Sequence, residues 1–243
     1  MAPRLWLATG TCVALGALLV AVAAAQDQPE VRGSAVAEHM HQHLSAMRAM
    51  KAFIIAGQLD DNLREAAVWV EEHEATPGLP GDWQPYILQL RRYAGQVADA
   101  RHLDFAAVSV GEMAGVCGDC HSANGVEVGF GDYESAPGAS PNVRVQMRRH
   151  LWAVDRMWEG LISPSDSAWR LGAETLADVQ VNAADIGATG AQQPKVDYLL
   201  ARAREIGTEG ASVESPKARG ALYGELLSLC ADCHNMTGGG PGT

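Results

Sequence analysis

Residues 112–121 (EMAGVCGDCH) and residues 225–234 (ELLSLCADCH) are the stretches that decide how this chain folds. Each ends in Cys-x-x-Cys-His, and each places an aspartate before its second cysteine. The apolar residues leading into both stretches follow the spacing of a helix rather than that of a strand. The two stretches therefore predict two helices that end in the same chemical motif.

A second repeat lies upstream of each motif. Residues 40–46 (MHQHLSA) correspond to residues 147–153 (MRRHLWA), 107 positions further on. The Cys-x-x-Cys-His motifs are 113 positions apart, so the second copy contains a six-residue insertion. A repeat of this length predicts two copies of one structural unit.

Each copy has the pattern of four helices, and no strand-like alternation competes with it. The expected class is all-α, with two tandem four-helix-bundle units. In the first copy the helices are expected at residues 34–56, 60–74, 82–102 and from 104 through the motif. In the second they are expected at residues 142–161, 165–181, 194–206 and from 215 through the motif. Asp60 or Asp61, Asp82, Asp104, Ser165 and Ser215 are the expected helix caps.

The expected organisation around these units is also readable from composition. Residues 1–25 have a short positive start, a long apolar stretch and small residues at the end, which is typical of a signal peptide. An uncleaved membrane anchor is the alternative. The first unit spans residues 26–124 and the second spans 142–236. Between them lies a linker at 125–141, rich in Gly, Pro and Ser, and a Gly-rich flexible tail follows at 237–243.

The cysteines identify the expected cofactor. Cys12 lies in the apolar N-terminal segment, and the other four cysteines all belong to the two motifs. Cys-x-x-Cys-His is the attachment pattern of c-type haem, in which the thiols bond the porphyrin and the histidine ligates the iron. We therefore expect two covalently attached haem c groups. The attachment residues are Cys117, Cys120, Cys230 and Cys233, and the iron ligands are His121 and His234.

The opposite side of each iron is expected to face the first helix of its unit. His43 and His150 are the leading candidates for this distal ligand, because both occupy the same place in the repeat on an apolar face. Met40 and Met147, three residues earlier, are the alternatives, and an open site is the third possibility. Core packing by methionine remains a competing explanation. Two imidazoles give a lower potential than an imidazole with a thioether, so the choice matters for function.

A four-helix unit with Cys-x-x-Cys-His on its last helix resembles the cytochrome c-prime family and its low-spin relatives. The resemblance implies a tandem pair of such units, each with a c-type haem on its last helix. It rests on Cys117, Cys120 and His121 in the first copy and on the matching residues of the second. The chain departs from that family by its duplication and by the histidine that follows each methionine.

These features predict an exported, periplasmic dihaem cytochrome that transfers single electrons between redox partners and is not an enzyme. A gas-binding or sensing protein with an open iron is the alternative. The net charge of −11 favours partners with basic docking patches and argues against nucleic acid, because an acidic surface repels phosphate. Contact with a membrane is expected only if residues 1–25 stay attached.

Overall fold

The structure of the chain is a computed structural model that describes residues 29–73, 80–131 and 134–240, with side chains from residue 35 onward. The expected signal peptide at 1–25 and the last three residues of the expected tail lie outside these ranges. All regular structure within them is helical, in agreement with the all-α prediction. Eight α-helices are described: α1 (Pro29–Ile55), α2 (Asp61–His73), α3 (Gln84–Ala98), α4 (Leu103–Ala123), α5 (Val143–Ile162), α6 (Asp166–Ala177), α7 (Gln193–Gly210) and α8 (Pro216–Thr237).

Three of the predicted helix caps are confirmed, and two are wrong. Asp60 accepts a hydrogen bond from the backbone of Leu63, at 3.2 Å, at the start of α2. Ser165 and Ser215 accept hydrogen bonds from backbone N–H groups in the first turns of α6 and α8. Each cap satisfies an N–H that the helix leaves open, which is worth about 1 kcal/mol.

The predicted caps at Asp82 and Asp104 are wrong. Asp82 lies within a short 3-10 turn before α3 and Asp104 within the first turn of α4, and neither helix start has a side-chain cap hydrogen bond.

Two helices end earlier than predicted. The sequence predicted that α3 would run to residue 102 and α6 to residue 181, but they end at Ala98 and Ala177. After α6 the chain turns so that Val179 and Val181 pack with Val196 of α7 in a separate apolar cluster. Their apolar side chains therefore serve the packing of the loop, not a longer helix.

The chain divides into two units, Met1–Gln42 and His43–Thr243. In the described part of the first unit, Gln42 Nε2 donates to Glu38 Oε1 at 2.8 Å along α1. The second unit contains the main hydrophobic core, to which every helix from the last turns of α1 to α8 contributes. Residues from both copies of the sequence repeat thus share one core.

Helices α4 and α8 run antiparallel with their backbones in close contact. A Cβ atom on Gly111 would lie 2.5 Å from the Gly220 oxygen and from the Gly224 nitrogen, and one on Gly224 would lie 2.7 Å from the Cα of Val108. Further along, Gly115 faces Pro216. Only glycine permits this approach, because any side chain would push the two helices apart.

A charged contact joins the first helices of the two copies. Lys51 Nζ of α1 donates to Asp155 Oδ1 of α5 at 2.6 Å. The same ammonium lies 5.3 Å from the ring centre of the buried Trp158. An ion pair and a cation–π contact thus partly compensate the burial of the lysine.

Among the described residues, no helix is both long and apolar enough to cross a bilayer.

The contact between α4 and α8 can be tested with one added methyl group. We expect Gly111→Ala to lower the free energy of unfolding by about 2–3 kcal/mol, since the backbones must separate to admit it. Denaturant unfolding followed by circular dichroism measures the change. Gly95→Ala is the matched control, because its added Cβ would lie 3.4 Å from the flexible Glu71 carboxylate. Equal stability of the two variants would contradict the packing described.

Candidate functional site

The second motif lies on one face of α8, close to the end of the helix. Cys230 and Cys233 are buried, and His234 is partly exposed beside them. The cysteines are three residues apart, so their thiols project from the same side of the helix. Neither is joined in a disulfide with another described residue, so both sulfurs remain thiols.

A cavity of about 740 Å³ separates this motif from α5. Its size is in the range of pockets that hold cofactors. The side chains around it are mainly apolar, with basic groups at Arg144 and Arg148. The full lining comprises Ile55, Val143, Arg144, Met147, Arg148, His150, Leu151, Val154, Ile186, Cys230, Cys233, His234, Thr237, Gly239 and Gly240.

The cavity brings both predicted distal ligands of the second copy to the motif. His150 and Met147 line it from α5, and His150 Nε2 lies 3.9 Å from the sulfur of Cys230. Burial, with a smaller contribution from the nearby charge of His234, lowers the pKa of His150 to about 4. The His150 imidazole is therefore neutral near pH 7 and keeps a lone pair for a metal.

Burial also affects the thiols. Burial raises the pKa of Cys230 to about 12, and the charge of Cys233 makes a smaller contribution. Burial also raises the pKa of Cys233. A thiol reacts as its thiolate, so these groups stay protonated and unreactive toward general oxidants near neutral pH.

The proximal histidine of the second motif is held by a backbone carbonyl. His234 Nδ1 lies 2.5 Å from the oxygen of Ile55, at the end of α1. A carbonyl oxygen can only accept, so Nδ1 carries the proton and donates it. The other nitrogen, Nε2, then has its lone pair available for an iron.

The histidine of the first motif is held by a backbone carbonyl in the same way. His121 Nδ1 donates to the oxygen of Ile162, at the end of α5, over 2.8 Å. Cys117 packs against the main core, and the carbonyl oxygen of Cys120 accepts from Asn124 Nδ2 at 2.8 Å. Both predicted iron ligands therefore have Nδ1 occupied and Nε2 in the form that binds metal.

The predicted distal residues of the first copy have different described surroundings. His43 is buried, and its ring lies 5.3 Å from that of Trp69 and 5.2 Å from that of His73, both on α2. Met40 lies in the other unit, Met1–Gln42. The ligand prediction for the first copy stays a prediction.

The antiparallel packing sets the distance between the motifs. His121 follows Gly111 by ten residues, and His234 follows Gly224 by ten in the opposite direction. At 1.5 Å per residue the two histidines are about 30 Å apart along the helix pair.

The residues around the second motif fit a covalently bound haem. Two reduced thiols lie on one helix face beside a histidine with a free Nε2, and a large cavity adjoins them. A neutral imidazole faces the motif from α5. The guanidinium groups of Arg144 and Arg148 suit the propionates of a porphyrin, whereas Arg149 is paired with Asp178 at 2.9 Å.

Several residues of the site were not predicted from the sequence. Ile55 and Ile162 act through their carbonyls, which no side-chain pattern reveals. Ile186 lies in the connection between α6 and α7, where the second copy is longer than the first. The six-residue insertion was the available signal, and it places apolar residues beside the cavity.

Comparison of the chain with models of protein families, with curated proteins and with solved structures finds no match. The indications of function are therefore the two motifs and the geometry around them.

The lowered pKa of His150 predicts acid sensitivity in the chain free of any bound group. Between about pH 6.5 and pH 4 the unfolded histidine binds a proton that the folded one does not. Stability should fall across this window by up to about 3 kcal/mol. Denaturant unfolding at pH 7 and pH 4.5 measures the loss, which His150→Leu should remove.

The exposed His102 supplies the control for this pH experiment. His102→Gln should leave the pH dependence as in the unchanged chain. A pH dependence that is identical in the His150→Leu protein would refute the assignment.

Proposed function

We propose that the chain is an exported dihaem c-type cytochrome that transfers single electrons between redox partner proteins. One observation carries the proposal. Both Cys-x-x-Cys-His motifs hold their histidine through an Nδ1–carbonyl hydrogen bond, which leaves Nε2 free for iron. A histidine that served packing alone would have no need of that tautomer at both motifs.

Four cysteines hold the groups in this proposal. Cys117 and Cys120 bond one porphyrin, and Cys230 and Cys233 bond the other, while His121 and His234 ligate the irons. A bound haem supplies reversible one-electron exchange between ferric and ferrous iron. The protein residues fix the orientation of the imidazoles, and Val154 and Leu151 give the cavity an apolar wall.

The proposed architecture is a tandem pair of four-helix units of the kind found in cytochrome c-prime. The helix neighbours of the second copy support it, since each of α5 to α8 packs on the next and α8 also contacts α5. In the first copy α2 packs on α3 and α3 on α4. The sequence repeat supports the same arrangement for both copies.

The proposed location is the periplasm or another exported compartment. It is supported by the signal-like residues 1–25 and by the haem motifs, because c-type haem is attached outside the cytoplasm. The net charge of −11 supports basic docking patches on the redox partners, with association that weakens as salt increases.

Gas binding or sensing is the second candidate. The cavity between α5 and α8 supports it, because about 740 Å³ leaves room for a small molecule if neither His150 nor Met147 ligates the iron.

The number of bound haems tests the proposal directly. The exported protein should contain two covalent haems, counted by its pyridine haemochrome spectrum and its intact mass. Replacing Cys117 and Cys120 by serine should leave one haem, and replacing Cys230 and Cys233 should leave the other. Asp232→Asn, an exposed change within the second motif, should keep both. A chain without covalent haem would overturn the proposal.

The distal ligands can be assigned in those single-haem proteins. With only the second haem present, His150→Ala should convert low-spin iron to high-spin iron that binds carbon monoxide, and Met147→Ala should not. His43→Ala and Met40→Ala form the matched pair for the first haem. Absorption and electron paramagnetic resonance spectra report the spin state. High-spin iron that binds carbon monoxide in the unaltered protein would favour the gas-binding candidate instead.

A further inference from the structure

We propose that each proximal imidazole is positioned by the opposite copy of the repeat. The first half of the chain then sets the redox potential of the second haem, and the second half sets that of the first haem. The proposal rests on the proposed function, since it concerns the histidines that would ligate iron. It goes further, because each redox site then includes a hydrogen-bond acceptor from the other copy.

The two hydrogen bonds are reciprocal. His121 of the first copy donates to Ile162 of the second, and His234 of the second donates to Ile55 of the first. The histidines correspond in the repeat, and so do the two isoleucines. Such exchange is what a two-fold symmetric dimer interface produces, here within one chain.

The contact between Gly111 and Gly224 is independent evidence that a two-fold axis relates the copies. They occupy corresponding positions of α4 and α8, and they contact each other. In a two-fold interface, a residue on the axis meets its own counterpart. The axis that relates the copies therefore passes between these glycines, midway between the two motifs.

The end of α1 leaves the Ile55 carbonyl available. Gln58 N–H donates to Phe53 and Gly57 N–H to Ile54, which is the hydrogen-bond pattern of a Schellman ending. Gly57 has φ of +73°, as that ending requires. These bonds satisfy the two preceding carbonyls and let the oxygen of Ile55 accept from His234.

This carbonyl affects more than orientation. The carboxyl end of a helix carries partial negative charge, and α1 directs that end at the Nδ1–H of His234. A strong acceptor on Nδ1 makes Nε2 a better electron donor, which favours ferric iron and lowers the potential. Weakening the hydrogen bond should therefore raise the potential of the second haem.

Gly57 offers a way to weaken that bond from the first half of the chain. The nearest atoms to a Cβ at this position belong to the side-chain amide of Asn235, an exposed group that can turn away. Gly57→Ala instead strains the turn that ends α1, because a φ of +73° disfavours any residue with a Cβ, and this strain should displace the Ile55 carbonyl and lengthen the bond. Gly131→Ala is the matched control, because its φ of +76° gives the same backbone strain and its Cβ would meet nothing within 4 Å.

The experiment measures the potential of each haem by spectroelectrochemical titration of the dihaem protein, and the two single-haem proteins show which potential belongs to which haem. Gly57→Ala should raise the potential of the haem at Cys230 and Cys233, and should leave that of the haem at Cys117 and Cys120 unchanged. Gly131→Ala should change neither. An unmoved second potential, or equal shifts of both, would overturn the inference.

A second substitution at the same position separates positioning from general damage to the fold. Gly57→Asn is the conservative variant, because asparagine adopts the left-handed backbone more readily than alanine does. It should therefore keep the potential of the second haem close to that of the unaltered protein. If circular dichroism shows that Gly57→Ala fails to fold, the substitution at Gly118 becomes the test. A second potential displaced as far in Gly57→Asn as in Gly57→Ala would contradict the inference.

The other half of the molecule gives the converse test. A Cβ on Gly118 would overlap the carbonyl of Leu161, next to Ile162, whereas the corresponding residue of the second motif is already Ala231. Gly118→Ala should raise the potential of the first haem alone.

The number of haems is counted in every variant before the potentials are measured. Fewer than two haems in the unaltered protein would refute the proposed function. Two haems whose potentials do not move in the variants would refute only this inference.

Discussion

The close contact of α4 and α8 at Gly111 and Gly224 is the constraint from which the rest of the site follows. Two helices can approach to backbone distance only where neither has a side chain, so this contact fixes the register of the pair. Because the helices are antiparallel, the register places the two motifs at opposite ends of the molecule's central pair. Each motif then meets the end of a helix from the other copy.

Helix ends give this arrangement its chemistry. The last carbonyls of a helix lack partners within it, and in α1 and α5 one such carbonyl accepts a hydrogen bond from a histidine Nδ1–H. The same contact selects the tautomer that can bind a metal. On the far side of the second motif, burial keeps His150 neutral. Backbone and burial together prepare two imidazoles that face one cavity.

The sequence predicted the local structure well, because caps and periodicity act over a few residues. Asp60, Ser165 and Ser215 cap the helices that they were expected to cap. Met147 and His150 line the same cavity as the second motif, and their role as ligands stays a prediction. Periodicity reveals which face of a helix is apolar but not which neighbour covers it. The crossing of the copies, through Ile55 and Ile162, could therefore not be derived.

The fusion of two copies into one chain removes a restriction that a symmetric dimer would obey. In a dimer of identical subunits, any substitution appears at both sites at once. Here position 51 is lysine while its counterpart, residue 158, is tryptophan, and these two side chains lie against each other. The glycine at 118 likewise corresponds to an alanine at 231. Each half can thus evolve its own environment while the other keeps the shared scaffold intact.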